Sequence, residues 1–189
     1  MKIGIFGGSF NPIHLGHLII AEQIREQCDL DKILFIPVGI PSHRENNLEN
    51  SQKRYEMIKL AIKDNLNFKV SDIEIKNSET SYTYDTLKKL KKENPENIYF
   101  EIIGEDSAEY LDKWKEIDEL LKITQFLVFR RNGNYKQNHK NIKVLETPII
   151  QISATQIRNK IKKKESIKYL VNERVIEYIK TNKLYLGEK

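Results

Sequence analysis

Lys2-Ile3-Gly4-Ile5-Phe6-Gly7-Gly8-Ser9-Phe10-Asn11-Pro12-Ile13-His14-Leu15-Gly16-His17 places a strand, a glycine-bearing turn and a helix start in immediate succession. Lys2–Phe6 is apolar and β-rich. A helix is expected from about Gly16 to Gln27, where Leu18, Ala21 and Ile24 recur at helical spacing. Consecutive glycines after a strand let the backbone approach a ligand closely. A helix start offers N–H groups and the positive end of a dipole, which favour a phosphate. His14 and His17 fall on one face of that start and can both donate to phosphate oxygens. The spacing is neither the dinucleotide Gly-x-Gly-x-x-Gly nor a P-loop. Spacing alone leaves three readings open: a phosphate site, an ordinary turn with surface or core histidines, and a metal pair. The last lacks the accompanying Glu of a zincin.

The same alternation continues outward from this unit. Strands are expected at Lys32–Pro37, Phe68–Ser71, Ile98–Ile103, Phe126–Phe129 and Ile142–Leu145, with Ile149–Ile152 also extended. Between them lie helical patterns: one capped by Ser51 and carrying Met57, Ile58, Ala61 and Ile62, and one capped by Thr83 through Leu87 and Leu90. Others run around Ala108–Leu111 and Ile117–Leu121, from Ser153 or Ala154 to about Lys163, and from an Asn172 cap through Val175, Ile176 and Ile179. Continuous apolar strands alternating with helices predict an α/β fold, a Rossmann-like, doubly wound, mostly parallel sheet covered on both faces. Gly39–Asn50 and Asn132–Asn141 are polar, lack periodicity and are long for connections, so they are expected to be mobile.

The 189 residues, 39% hydrophobic and 31% charged, fit one domain of residues 1–189. No apolar run approaches the roughly 20 residues that cross a bilayer, and the N-terminal apolar stretch is too short for a signal peptide. A cytoplasmic protein is expected, with no membrane partner. Cys28 is the single cysteine, which excludes an internal disulfide and a cysteine metal cluster. At the end of a helical pattern it reads as a buried structural thiol. The net charge of +5 suits anionic small molecules and also nucleic acid. The lysines are interspersed with acids, however, as on solvated helix faces, and the densest run, Lys160–Lys164, is short.

A second element stands far along the chain, at Ile152-Ser153-Ala154-Thr155-Gln156-Ile157-Arg158. Ser153 and Thr155 are hydroxyls at a helix start. Arg158 follows one turn later with a planar fork suited to phosphate. Together, the two elements resemble those of the HxGH nucleotidyltransferases. Within that group the sequence is similar to the bacterial nicotinate-nucleotide adenylyltransferases, whose loop runs Gly-Gly-Thr/Ser-Phe-Asp/Asn-Pro-Ile-His-x-Gly-His. Asn11 takes the place of the common Asp. Ser81-Tyr82-Thr83-Tyr84-Asp85-Thr86, Gly104-Glu105-Asp106-Ser107, Leu111-Asp112-Lys113-Trp114-Lys115 and Pro41-Ser42-His43-Arg44 resemble further motifs of that family. Ser42 replaces its usual second proline.

The resemblance implies transfer of AMP from ATP to nicotinate mononucleotide, with Mg²⁺ accompanying ATP and no metal held by protein side chains. It implies catalytic roles for His14, His17 and Arg158. ATP would be bound by these three with Gly7, Gly8, Ser9, Phe10, Gly104, Asp106, Ser153 and Thr155, with Asp106 on the ribose hydroxyls and the helical part at 153–189 closing the site. Arg44, Thr83, Thr86 and Trp114 would hold the acceptor, Trp114 as an exposed stacking platform. ATP and the mononucleotide are the expected partners, and a homodimer is compatible with the sequence. Alternatives are another HxGH enzyme, such as a pantetheine-phosphate adenylyltransferase, and a basic nucleic-acid-binding module.

Overall fold

The structure, a computed structural model, describes residues 1–42, 48–130, 135–137 and 139–187. Its centre is a six-stranded sheet of β1 (Lys2–Gly8), β2 (Lys32–Pro37), β4 (Phe68–Val70), β6 (Ile98–Gly104), β7 (Gln125–Phe129) and β8 (Ile142–Leu145). The spatial order is β4-β2-β1-β6-β7-β8, and every neighbouring pair is parallel. The chain therefore winds outward from β1 in one direction, returns, and winds outward in the other. The strand order reverses between β1 and β6, and in open α/β sheets the crevice beyond the carboxyl ends of the strands at such a point is where ligands bind.

Alternation along the strands supplies two cores. Phe6, Phe35 and Ile102 face one side, where α1 (Leu15–Gln27), α2 (Ser51–Ala61), α6 (Ala154–Lys162) and α7 (Glu173–Thr181) bury Ile24, Ile58, Ile157 and Val175. Ile5, Ile36, Ile103 and Phe126 face the other, covered by Leu87 of α3 (Thr83–Glu93) and Leu120 of α5 (Ile117–Ile123). The short α4 (Glu105–Ala108) follows β6 directly, and a 3-10 turn covers Leu111–Lys113. Among the described residues no helix is long and apolar enough to cross a membrane.

Several boundaries differ from the sequence reading. β1 runs two residues further, because Gly7 and Gly8 still pair with Ile36 and Pro37. Asn50, not Ser51, caps α2: its Oδ1 accepts from the amides of Gln52 and Lys53 at 2.9 and 3.4 Å. Tyr82 occupies the cap position of α3 and Thr83 is its first helical residue. Ser153 and Asn172 cap α6 and α7, as expected. Ile149–Ile152 forms no strand, and its apolar pattern comes from Ile150 and Ile152 packing against the first core. Part of the polar stretch after Gly39 is ordered by pairing: β3 (Ile40–Pro41) lies parallel to β5 (Thr80–Ser81) in a small second sheet. Residues 43–47, 131–134 and 138, nearly all within the two stretches expected to be mobile, lie outside the described residues, as do 188 and 189. Cys28 is half-buried at the carboxyl end of α1, and burial raises its thiol pKa, which keeps it protonated and unreactive.

Candidate active site

His14 is the cap residue of α1 and is buried, while His17 is half-buried one turn on. Their rings stack with centroids 3.7 Å apart. The His14 amide donates to His17 Nδ1 at 3.2 Å. An Nδ1 that accepts places the ring proton of a neutral imidazole on Nε2, so His17 presents a donor there. A Cβ on Gly16 would stand 3.1 Å from His14 Nδ1 and 3.2 Å from its Cε1. A side chain at Gly16 would thus press on the His14 ring, which would have to shift by a few tenths of an ångström.

The His17 ring is wedged against Phe10 and Phe6, edge to face, with centroids 5.0 and 6.0 Å away. Each such contact is worth about 0.5–1.5 kcal/mol and fixes the ring's direction. Phe10 is 2% exposed, and its ring lies in the core against His17. It is also Phe10, at φ 42, that takes the left-handed backbone of the turn; Gly7 and Gly8 keep strand geometry. Gly7 is exposed at the end of β1, open to approach. The Leu15 amide, at the helix start, is given to Leu170 O at 2.9 Å, so it is not available to a phosphate.

The far end of the chain converges on this loop. Arg158 donates from Nη1 to the Asn11 carbonyl at 2.8 Å and from Nη2 to Thr155 Oγ1 at 3.1 Å. Ser153 Oγ accepts the Gln156 amide at 3.1 Å, as a helix cap does, and Ser153 also lines the pocket of His14 and His17. Thr155 orients the arginine. That pocket, of 270 Å³, is walled by Phe129, Arg130 and the Ile150–Ser153 segment.

A second, larger cleft of 580 Å³ contains Trp114, Thr83, Asp106, Ser107, Tyr110 and Lys115. Trp114 is half-buried, set edge to face against Phe126 at 6.0 Å, with its environment shared between core and cleft. Its expected full exposure is corrected accordingly: one side is anchored and the other lines the cavity. Lys115 bridges to Asp85 at 2.7 Å and stands 4.8 Å over the Tyr82 ring, closing the rim. Thr86 does not line this cleft. Its hydroxyl donates to Glu74 Oε1 at 2.8 Å and its amide to Tyr82 O at 3.1 Å, so both groups are committed within the fold. Gly104 is the buried last residue of β6, leading into Asp106 on α4, and Asp106 opens on the Trp114 cleft rather than the histidine pocket. Arg44 lies outside the described residues.

Residues 5–160 match the cytidylyltransferase-like family model. The chain is 51% identical over 187 residues to a probable nicotinate-nucleotide adenylyltransferase of Fusobacterium nucleatum, covering 95% of this chain and 97% of the relative. It is 41% identical over 185 residues to the nicotinate-nucleotide adenylyltransferase of Bacillus subtilis, covering 97% and 98%. The chain belongs to the nicotinate-nucleotide adenylyltransferase family. Its fold is that of the Plasmodium falciparum nicotinic acid mononucleotide adenylyltransferase complexed with NaAD, at a TM-score of 0.81 and 23% identity over 97% of each chain.

Two residues of this family member escaped the sequence reading. Arg54 is 1% exposed and donates to three backbone carbonyls: Glu49 at 2.9 Å, Ser9 at 2.7 Å and Val38 at 2.6 Å. It clasps the turn after β1 to the segments after β2 and before α2, and burial lowers its pKa. The signal was present: Arg54 occupies the apolar stripe of α2 with Met57, Ile58 and Ala61. Arg130 lines the histidine pocket and pairs with Glu146 at 3.0 Å. It lies just past a strand end, where composition marks it as one surface cation among many.

Proposed function

We propose that this chain transfers AMP from ATP to nicotinate mononucleotide, giving the deamido dinucleotide of NAD biosynthesis and pyrophosphate. An oxygen of the acceptor's 5′-phosphate attacks the α-phosphorus in line. The new P–O bond forms as the bond to the bridging oxygen breaks, and the electron pair leaves on pyrophosphate. A phosphate oxygen is already an adequate nucleophile, so positioning and charge neutralisation supply the rate. His17 Nε2, His14 and Arg158 offset the repulsion between two anions and the charge growing on pyrophosphate. Asp106 holds ribose hydroxyls, Trp114 and Thr83 receive the acceptor's ring, and the 153–189 segment closes over ATP. Mg²⁺ accompanies ATP. Its ligands would be mainly phosphate and water oxygens.

The observation that carries this reading is the convergence of His14, His17 and Arg158, from opposite ends of the chain, on the Ser9–Asn11 turn, in a chain of this family. The test is pyrophosphate release with ATP and, separately, nicotinate mononucleotide, nicotinamide mononucleotide and phosphopantetheine. Release is expected with the first. Release with phosphopantetheine alone would overturn the acceptor assignment.

A further inference from the structure

The turn that carries Phe10 is held from a distant place that the reaction as described does not use. Asn11 is 2% exposed, and its Oδ1 accepts two hydrogen bonds. One comes from the Tyr185 hydroxyl at 2.9 Å, across 174 residues of sequence, and the other from the Glu49 amide at 3.2 Å. Its carbonyl takes the Arg158 guanidinium at 2.8 Å. One residue thus ties together the phosphate loop, the entry to α2, the arginine of α6 and the tail beyond α7.

The backbone on both sides of the Tyr185 contact is strained. Phe10 has φ 42, and Lys183 and Tyr185 have φ 51 and 62, all in the left-handed region where a side chain is disfavoured. Such conformations persist only where the surroundings over-determine them, and they cluster at functional sites. Here the surroundings are identifiable. Leu184 is 2% exposed in the first core, and its amide bonds Ile179 O at 3.0 Å, which turns the tail back and delivers Tyr185 to Asn11. Burial raises the phenol pKa, with Glu49 adding to the effect against the opposing charges of Arg158 and Arg54, so the hydroxyl stays a donor. Asn11 follows Phe10 directly, and the Phe10 ring sets the edge of His17 at 5.0 Å. Displacement of Asn11 therefore passes to His17 through one side chain.

We propose that Tyr185 is a positioning residue for AMP transfer, its hydroxyl latching the C-terminal hook onto Asn11 and so fixing the turn that aims His17 and Arg158. The proposal rests on the adenylyl-transfer reading above. It is tested with Tyr185→Phe, Asn11→Ala, their double variant and Asn11→Asp, measuring kcat, both KM values, melting temperature and affinity for a methylene-bridged ATP analogue without acceptor. Tyr185→Phe is expected to lower kcat about tenfold, the scale of one buried hydrogen bond expressed at a reacting centre. The acceptor KM should stay within about twofold. The double variant should be no slower than Asn11→Ala, because Asn11→Ala already removes the Tyr185 contact, together with that of the Glu49 amide. Asn11→Asp, which keeps an acceptor oxygen, should recover most of the loss. A kcat for Tyr185→Phe within about twofold of wild type, or losses that multiply in the double variant, would overturn the latch. If the wild-type chain does not transfer AMP to nicotinate mononucleotide, the functional reading is what has failed. The analogue then decides the latch alone: affinity weakened about fivefold by Tyr185→Phe supports it, and unchanged affinity overturns it.

Discussion

The histidine pocket and the Trp114 cleft are built by opposite means. The first is held from within: stacked imidazoles, a Phe10 ring in the core, and Arg54 and Arg158 bonded to the carbonyls of Ser9 and Asn11. The second is more than twice as large, at 580 against 270 Å³, and is bordered by exposed and half-buried side chains from separate segments, with Lys115 and Asp85 pairing across its rim. The difference fits the roles proposed for each. Stabilising charge at a reacting phosphorus demands groups fixed before the substrate arrives. Choosing an acceptor ring needs only a shaped surface with a few polar groups. Losses in the first region should therefore appear in kcat, and losses in the second in the acceptor's KM.

The largest effect is expected from His17→Ala, which should cut kcat on the order of a hundredfold, as for loss of one transition-state donor. A kcat within a few fold of wild type would erase the contrast between the two regions. Arg54→Met leaves three carbonyls without their donor. At about 1 kcal/mol each, it should lower the melting temperature by roughly 5–10 °C and reduce kcat with little change in acceptor KM. Calorimetry and steady-state kinetics on the same preparation check both halves. Trp114→Ala should raise the acceptor KM about tenfold and leave the ATP KM unchanged; equal movement of both would show that Trp114 is not the platform for the acceptor's ring.

The smallest effect concerns the sheet between the two sites. Glu101 is 3% exposed on β6, and burial, followed by the charge of Glu74, raises its carboxyl pKa well above the ordinary 4.5. A raised carboxyl pKa means that the folded chain keeps a proton that the unfolded chain releases. Stability from this group is full below about pH 4.5 and is lost as pH rises toward the folded value. Glu101→Gln should therefore lose less melting temperature between pH 5 and pH 8 than wild type, by roughly 2–4 °C. Parallel pH profiles would mean that Glu101 is charged in the fold.

The same division explains what the sequence made legible. β1, β2, β6 and β7 were readable because strands buried on both faces spell largely apolar runs, and the histidine loop because its parts are contiguous. Ile149–Ile152 misled because its alternating burial arises without a pairing partner. The burial of Phe10 was not legible, because a motif names a residue without saying which way its side chain turns. Thr86 was misread for a similar reason, since Glu74, twelve residues earlier, takes its hydroxyl. Arg54 shows in the sequence only as a cation within an apolar stripe, and Tyr185 not at all, because their partners are a backbone carbonyl and a side chain 45 and 174 residues away.

The central claim is that the histidine pocket directs attack to the α-phosphorus of ATP. Two labelled ATP preparations, one carrying radioactive phosphorus at the α position and one at the γ position, test it with nicotinate mononucleotide as acceptor. The α label should pass into the dinucleotide and the γ label should leave in pyrophosphate. Recovery of the γ label on the acceptor would show phosphoryl rather than adenylyl transfer and contradict the account.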